Sequence, residues 1–245
     1  MIGEVAGAIA FLTRLPVPGA DWKGPLHRLA AWFPIAGLVV GALAAGAYQV
    51  ALLAGLPQAV AVWVGIVAEM MTTGALHPDG LADTADGLAG QTPERRLEIM
   101  KDPRLGSFGG IALLVSLGGR GVLLATMPGA RVVPALLLAH AASRWAPAWA
   151  LARHPYARAN GGTGAAFVGG GARELAVAGV TALLAAWLLA GVGGLIAAAA
   201  AGVAGIGATA YVARKLGGIT GDVCGAVAEI SLLACLLVLA GHLPW

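Results

Sequence analysis

The chain has 245 residues, of which 59% are hydrophobic and only 11% are charged. An ordinary soluble domain carries roughly 25% charged residues, which stay at its surface, so this composition excludes one. Two cysteines are too few for a disulfide-stapled secreted domain. The composition is typical of an all-α, polytopic integral membrane helical bundle, and residues 1–245 are predicted to form a single membrane domain.

A short hydrophobic segment opens the chain, and Ile2, Val5, Ile9 and Leu12 share one face if it is helical. No basic residue precedes it and Glu4 lies inside it, which argues against a signal peptide. We therefore predict an interfacial helix within a cytoplasmic segment at residues 1–28.

Long uncharged stretches lie between Arg28 and Glu69 and between Glu174 and Arg214. A bilayer span needs roughly 20 apolar residues, so each stretch predicts two spans joined by a tight turn. Shorter apolar runs predict three more. The seven predicted spans are at about 33–54, 58–76, 108–127, 132–152, 174–191, 194–213 and 223–242.

The distribution of Lys and Arg sets the predicted orientation. Most of the fifteen fall on one side of the membrane if the amino terminus is cytoplasmic, as the positive-inside rule requires. The sequence pI of about 9.2 then reflects cytoplasmic loops and does not indicate a nucleic-acid partner. We expect a multi-pass protein of a bacterial or archaeal inner membrane, in contact with membrane lipid and with a cytoplasmic site for an anionic substrate.

An acidic block follows the second predicted span. In a helix, Asp79, Asp83 and Asp86 lie at i, i+4 and i+7 and point within about 60° of one another. Like charges at this spacing repel, and a bound cation would offset the repulsion. Carboxylate oxygens favour a hard ion such as Mg²⁺ over zinc. The alternative is a solvated acidic helix end, which would normally include Lys or Arg, and this block has none.

A second acidic block lies in the glycine-rich segment before the last span. Asp222 and Glu229 are at i and i+7, and the glycines around Thr220 permit close backbone approach and phosphate contacts. The alternative is that Asp222 only caps the last span. We predict a second active-site loop at residues 214–222, in addition to one at residues 77–107.

Several charged or titratable residues fall inside predicted spans, where charge is costly and usually functional. They are Glu69, Arg120, His140, Arg144 and Glu229. Glu69 and Glu229 are candidate additional metal ligands, and Arg144 is a candidate phosphate contact. Structural pairing between spans, for example Glu69 with Arg144, is the competing interpretation and stays open at this point. Arg120, which follows two glycines, is interpreted as a packing residue.

The loop before the third span is basic. Lys101 and Arg104 flank a proline turn that leads to Ser107 at the predicted helix start. A helix amino terminus with nearby cations is an anion site, so this loop is predicted to bind phosphate.

Four blocks carry a resemblance to a known family: FLTRLPVP at 11–18, TGALHPDGLADTADG at 73–87, MKDPRLGSFG at 100–109 and GGITGD at 217–222. In this order they resemble the cobalamin synthase family, with Pro78 a small departure where a bulkier apolar residue is expected. The resemblance implies an adenosylcobinamide-GDP ribazoletransferase. Its substrates would be adenosylcobinamide-GDP and α-ribazole or α-ribazole 5′-phosphate, and Mg²⁺ would be the cofactor.

The residue patterns and this chemistry together give a set of predicted roles. The catalytic candidates are Asp79, Asp83, Asp86, Asp222 and His77, with His77 as base or hydrogen-bond donor. The substrate-binding candidates are Lys101, Arg104, Ser107, Arg144 and Thr220. The metal candidates are Asp79, Asp83, Asp86, Asp222, Glu229 and Glu69.

Two other functions are compatible with a membrane protein that carries clustered carboxylates. A CDP-alcohol phosphotransferase acting on lipid also places carboxylates at a membrane surface, but Asp83 and Thr84 stand where its motif would have Ala-Arg. A secondary transporter would place its site at the bilayer midplane between inverted repeats, and no repeat is evident. The sequence leaves open whether the chain forms homo-oligomers or associates with other cobalamin-assembly enzymes.

Overall fold

The computed structural model describes residues 1–159 and 161–241, and they form a helical bundle in which no strand is present. The predicted all-α class is therefore confirmed. The helices are α1 (Ile2–Leu12), α2 (Phe33–Leu53), α3 (Gln58–Thr73), α4 (Leu76–Gly87), α5 (Pro93–Ile99), α6 (Ser107–Leu113), α7 (Gly119–Thr126), α8 (Gly129–Ser143), α9 (Trp145–Arg153), α10 (Ala172–Leu216) and α11 (Gly221–Ala240). A 3₁₀ segment, Leu26–Trp32, leads into α2, and a π-helical segment, Leu114–Gly118, joins α6 to α7.

Four stretches in the described ranges are long and apolar enough to cross a bilayer, and together they mark a membrane protein. They are Leu26–Leu53, Ser107–Thr126, Ala172–Leu216 and Gly221–Ala240. A fifth candidate is the pair α3 and α4, which is bent by 86°. The seven predicted spans therefore differ in detail from the structure, and the end of the last one, His242, lies outside the described residues.

Two of these differences have a local cause. The spans predicted at 174–191 and 194–213 are the two arms of α10, which breaks at Ala190 and Gly191, where the backbone is not helical. The span predicted at 132–152 is divided at Arg144 into α8 and the short α9. The polar residue thus sits where one helix ends and the next begins.

Glycines allow the helices of the bundle to approach closely. Gly37 and Gly41, one turn apart on α2, face the backbone carbonyls of His140 and Leu136 on α8. A side chain at either glycine would collide with that backbone, so this pair fixes how α2 and α8 cross.

The bend between α3 and α4 turns the chain toward the acidic block. Gly74 and Ala75 both adopt left-handed conformations, with φ of 62° and 58°. The amino-terminal loop packs here, because the Arg14 amide donates to the Thr72 carbonyl at 2.7 Å. At twelve residues with three carboxylates, α4 is too short and too acidic to span a bilayer itself, so we treat it as lying outside the spans. The helical interpretation of the acidic block is confirmed.

The amino-terminal helix α1 also forms as predicted, and it packs against the bundle. Its buried Glu4 accepts a hydrogen bond from Trp32 Nε1 at 3.1 Å. Its predicted place on the cytoplasmic leaflet stays a prediction.

Candidate active site

The two acidic blocks come together where α4 packs against the first turn of α11. A Cβ on Gly80 would lie 2.6 Å from the carbonyl oxygen of Asp222, and one on Gly225 would lie 3.1 Å from the carbonyl oxygen of His77. A side chain at Gly80 would collide with backbone that cannot easily move aside, and one at Gly225 would make an unusually tight contact. This close approach brings carboxylates 140 residues apart in sequence into one site.

A cavity of about 430 Å³ opens beside this contact. The charged and histidine side chains in its lining are those of His77, Asp79, Arg144, Arg158 and Asp222. The first two belong to α4, Arg144 to the break between α8 and α9, Arg158 to the loop after α9, and Asp222 to α11. The volume lies within the range of small-molecule sites, roughly 300–1,000 Å³.

Asp83 lies next to the cavity-lining carboxylates. Its burial, followed by the nearby charges of Asp79 and Asp222, raises the pKa of Asp83 to about 6. Within the described residues, neither Asp79 nor Asp83 has a side-chain hydrogen bond. Carboxylates that repel one another and have no protein partner favour a bound cation.

Asp222 is held in place from two sides. Arg158 Nη2 donates to Asp222 Oδ2 at 2.7 Å, and the Thr220 hydroxyl donates to the same oxygen at 3.2 Å. Thr220 is also the N-cap of α11, because its hydroxyl accepts from the Val223 amide. The N-cap of α11 is therefore Thr220 and not Asp222, and the side chain of Asp222 lines the cavity.

Two arginines of the cavity have unused donors. Arg144 is only 1% exposed, and its Nη2 has no hydrogen-bond partner in the described part of the chain. The same holds for Nε of Arg158. A buried donor without a partner costs on the order of 1–3 kcal/mol, which an anionic ligand in the cavity would recover.

His77 is the neutral member of the cavity. Burial, together with the positive charge of Arg144, holds the pKa of His77 well below its usual value. The imidazole is therefore uncharged at neutral pH and can accept a proton.

The basic loop does not reach the cavity in this structure. Lys101, Arg104 and Ser107 are exposed and do not line it. Arg104 is paired with Asp102 through two hydrogen bonds, at 2.9 and 2.6 Å. The predicted anion site at the start of α6 is taken by a carboxylate of the protein, since the Gly106 and Gly109 amides both donate to Asp86 at 2.8 Å. Asp86 thus orients this helix start.

A second polar cluster, consisting of Glu69, Arg120 and Glu229, lies deeper in the bundle. Arg120 Nη1 donates to Glu69 at 2.7 and 2.8 Å, and Nη2 donates to Glu229 at 2.9 Å. All three are at least 98% buried, and Ser116 of the π-helical segment donates to Glu229 at 2.6 Å. The partner of Glu69 is Arg120 and not Arg144, which corrects both the suggested pair and the packing role of Arg120. Both glutamates accept hydrogen bonds from Arg120 and neither lines the cavity, so the structure does not bring these two metal candidates together with Asp79 and Asp222.

The pairing has a consequence for Arg144. Because Arg120 engages both glutamates, Arg144 is left with Ser143 as its side-chain partner, at 2.8 Å. Arg144 also lines the cavity, so its positive charge lies next to the space that a ligand would fill.

The carboxylates at the cavity are candidate ligands for Mg²⁺. Within residues 1–159 and 161–241, no three His, Cys, Asp or Glu side chains form a preformed metal cluster. Mg²⁺, however, usually takes one or two carboxylates together with waters and substrate phosphate. Asp79, Asp83 and Asp222 offer such oxygens at one edge of the cavity, so this donor set fits the ion.

Sequence reasoning missed Arg158 and the aromatic residues of the cavity. Nothing in the local sequence distinguishes Arg158 from the other basic residues of the predicted cytoplasmic loops. Its position depends on an isolated β-bridge between Tyr156 and Ile219, which ties the loop after α9 to the start of α11. Neither the hydrophobic periodicity nor the residue spacing of the sequence indicates that this bridge forms.

Comparison with known proteins identifies the family. Residues 4–240 match the family described as cobalamin-5-phosphate synthase. This chain belongs to the cobalamin-5-phosphate synthase family. Similar proteins named adenosylcobinamide-GDP ribazoletransferase occur in Rhizobium johnstonii (40% identical) and Rhizobium etli (41%), each match covering 97% of this chain and 96% of the relative. One from Desulforamulus reducens is 37% identical, over 99% and 98% of the two chains.

No solved structure matches this chain. The resemblance drawn from the four sequence blocks is confirmed by the family match. The cobalamin-5-phosphate synthase family and the apolar helices agree in marking a membrane protein.

Proposed function

We propose that this chain is an adenosylcobinamide-GDP ribazoletransferase that joins α-ribazole, or its 5′-phosphate, to adenosylcobinamide-GDP and releases GMP. The relatives carry this name over nearly their whole length. The observation that supports it in the structure is the cavity itself, where carboxylates and arginines with unused donors converge.

The reaction replaces one phosphorus–oxygen bond by another. A ribose hydroxyl of the acceptor attacks the cobinamide-side phosphorus, and the bond from that phosphorus to the bridging oxygen breaks, so GMP leaves. His77 is placed to accept the hydroxyl proton, since its ring is neutral and lines the cavity.

The diphosphate needs positive charge around it as the reaction proceeds. Nη2 of Arg144 and Nε of Arg158 provide donors that no protein group occupies in the described residues. Asp79, Asp83 and Asp222 would hold Mg²⁺, which would neutralise charge on the transferred and leaving groups. Asp86 would serve as a positioning residue, since its carboxylate accepts hydrogen bonds from the Gly106 and Gly109 amides at the start of α6.

The face of the membrane is part of the proposal. The positive-inside pattern favours a cytoplasmic amino terminus and a cytoplasmic site, where the nucleotide substrate is available. The lipid phosphotransferase and transporter alternatives have no support from the family match.

GMP release is the decisive assay. Detergent-purified protein is given adenosylcobinamide-GDP, α-ribazole and Mg²⁺, with heat-killed protein as the blank. We expect GMP and a corrinoid product in equal amounts. GMP no higher than the blank, from protein shown to be folded, would contradict the proposal.

A matched pair of variants tests the site. Asp79→Asn removes a cavity carboxylate, and Asp21→Asn makes the same change at an exposed carboxylate before α2. The first is expected to abolish turnover and the second to leave it unchanged. The same assay with and without a Mg²⁺ chelator tests the metal.

A further inference from the structure

The cavity has an aromatic wall in addition to its charged residues. The chain contains only four phenylalanines, and three of them, Phe11, Phe33 and Phe167, line this one cavity together with Tyr156. They come from four separate segments: the end of α1, the start of α2, the 3₁₀ turn before α10 and the loop after α9. Such a concentration is unexpected in a chain that is 6% aromatic.

The rings are arranged as a continuous surface. The centroids of Phe11 and Phe167 are 4.2 Å apart, and those of Phe11 and Phe33 are 6.2 Å apart with nearly parallel planes. Core packing explains Phe33 and Phe167, each only 2% exposed. Phe11 and Tyr156 also pack against neighbouring residues, but both are partly exposed and both line the cavity.

We propose that this wall binds the planar base of the acceptor nucleoside, with Phe11 as the main stacking surface. The inference rests on the proposed function, whose acceptor carries a benzimidazole-type base. Stacking on an aromatic side chain is sequence-tolerant and contributes substantially to base binding. A base bound on this wall would place its ribose in the same cavity as His77 and Asp79.

The composition of the wall selects between the two bases present in the reaction. Guanine, on the donor, has several hydrogen-bonding groups on its edges that would need partners. A benzimidazole bound through nitrogen to ribose has a single ring acceptor and an otherwise apolar edge. Leu12, Pro147 and Leu151 also line this cavity, and such apolar side chains suit the edge of a benzimidazole better than that of guanine.

The wall is therefore a specificity determinant for the acceptor. It is expected to favour a benzimidazole over a purine base, because the purine would bury amino or carbonyl groups against these apolar side chains.

The test compares Phe11→Ala with Phe108→Ala, which removes the one phenylalanine that does not line the cavity. GMP release is measured against α-ribazole and, separately, against adenosylcobinamide-GDP. Phe11→Ala is expected to raise the KM for α-ribazole about tenfold or more, with kcat and the KM for the donor unchanged. Phe11→Tyr should restore the acceptor KM, and Phe108→Ala should resemble the unmodified protein.

Three results would overturn the inference. A rise in the donor KM instead of the acceptor KM would place guanine on the wall. A fall in kcat with both KM values unchanged would show a purely structural role. An unaltered acceptor KM in folded Phe11→Ala would show that Phe11 does not contact the base.

A direct measurement of α-ribazole binding distinguishes failure of the proposed reaction from failure of the proposed base-binding wall. If the unmodified protein released no GMP, equilibrium dialysis with α-ribazole would be run on it and on Phe11→Ala. Binding that is lost in the variant would support the wall without the reaction, and no binding to the unmodified protein would contradict both.

Discussion

Arg158 lies against Asp222, with Nη2 donating to Oδ2 at 2.7 Å. The contact joins the loop after α9 to the first turn of α11, and both side chains line the cavity. The guanidinium of Arg158 thus holds the carboxylate of Asp222 in place, while Nε of Arg158 has no hydrogen-bond partner in the described residues.

Arg158→Ala is predicted to reduce kcat/KM for GMP release by on the order of 10²–10³-fold, as loss of a charge-stabilising donor does in other enzymes. Arg153→Ala, at an exposed arginine at the end of α9, is the matched control and should retain activity. Normal turnover by folded Arg158→Ala would remove Arg158 from the site.

Arg120→Met is predicted to destabilise the protein by about 3–5 kcal/mol, because it leaves Glu69 and Glu229 buried without their cation. Thermal unfolding in detergent measures the effect. The triple change of Arg120→Met with Glu69→Gln and Glu229→Gln should recover much of the loss. A triple variant no more stable than Arg120→Met alone would show that the unpaired charges of Glu69 and Glu229 do not cause the loss.

The pKa of Asp83, raised by burial and by Asp79 and Asp222 to about 6, predicts how activation by Mg²⁺ depends on pH. Below that pH the carboxyl binds a proton, which competes with the ion, so the Mg²⁺ concentration for half-maximal activity should rise as the pH falls through about 6. Titrations with Mg²⁺ at several pH values measure it. Residual activity of Asp83→Asn should lack this dependence, and a requirement for Mg²⁺ that is flat across the same range would contradict the assignment.

Gly80→Ala is predicted to lower both stability and activity, because the new Cβ would lie 2.6 Å from the Asp222 carbonyl oxygen and overpacking costs roughly 1–3 kcal/mol. Gly46→Ala on α2 meets open space and serves as the control. Unfolding temperature and GMP release are measured on both. Equal behaviour of the two variants would mean that α4 and α11 are not in close contact.

The sequence predicted what depends on local pattern. The spacing of Asp79, Asp83 and Asp86 predicted that they share one face if their block is helical, and the block does form the helix α4. The apolar stretches predicted an all-α membrane bundle. The glycines near Asp222 predicted close backbone approach, which the structure places against Gly80 and His77.

Tertiary contacts could not be predicted in the same way. The partner of Glu69 depends on how helices rotate against each other, and Arg120 and Arg144 were equally available in sequence. Asp86 was expected at a metal, yet it accepts hydrogen bonds from Gly106 and Gly109, because the loop between α4 and α6 returns to it. Arg158 required knowledge of the bridge between Tyr156 and Ile219.

The central claim is that the two acidic blocks, more than a hundred residues apart in sequence, act as one site. A double-mutant cycle on GMP release, with Asp79→Asn, Asp222→Asn and the combined variant, tests it most directly. If the carboxylates act as a unit, the double variant should lose little more kcat/KM than the more damaged single variant. Losses that multiply in the double variant would show two independent sites and contradict the account.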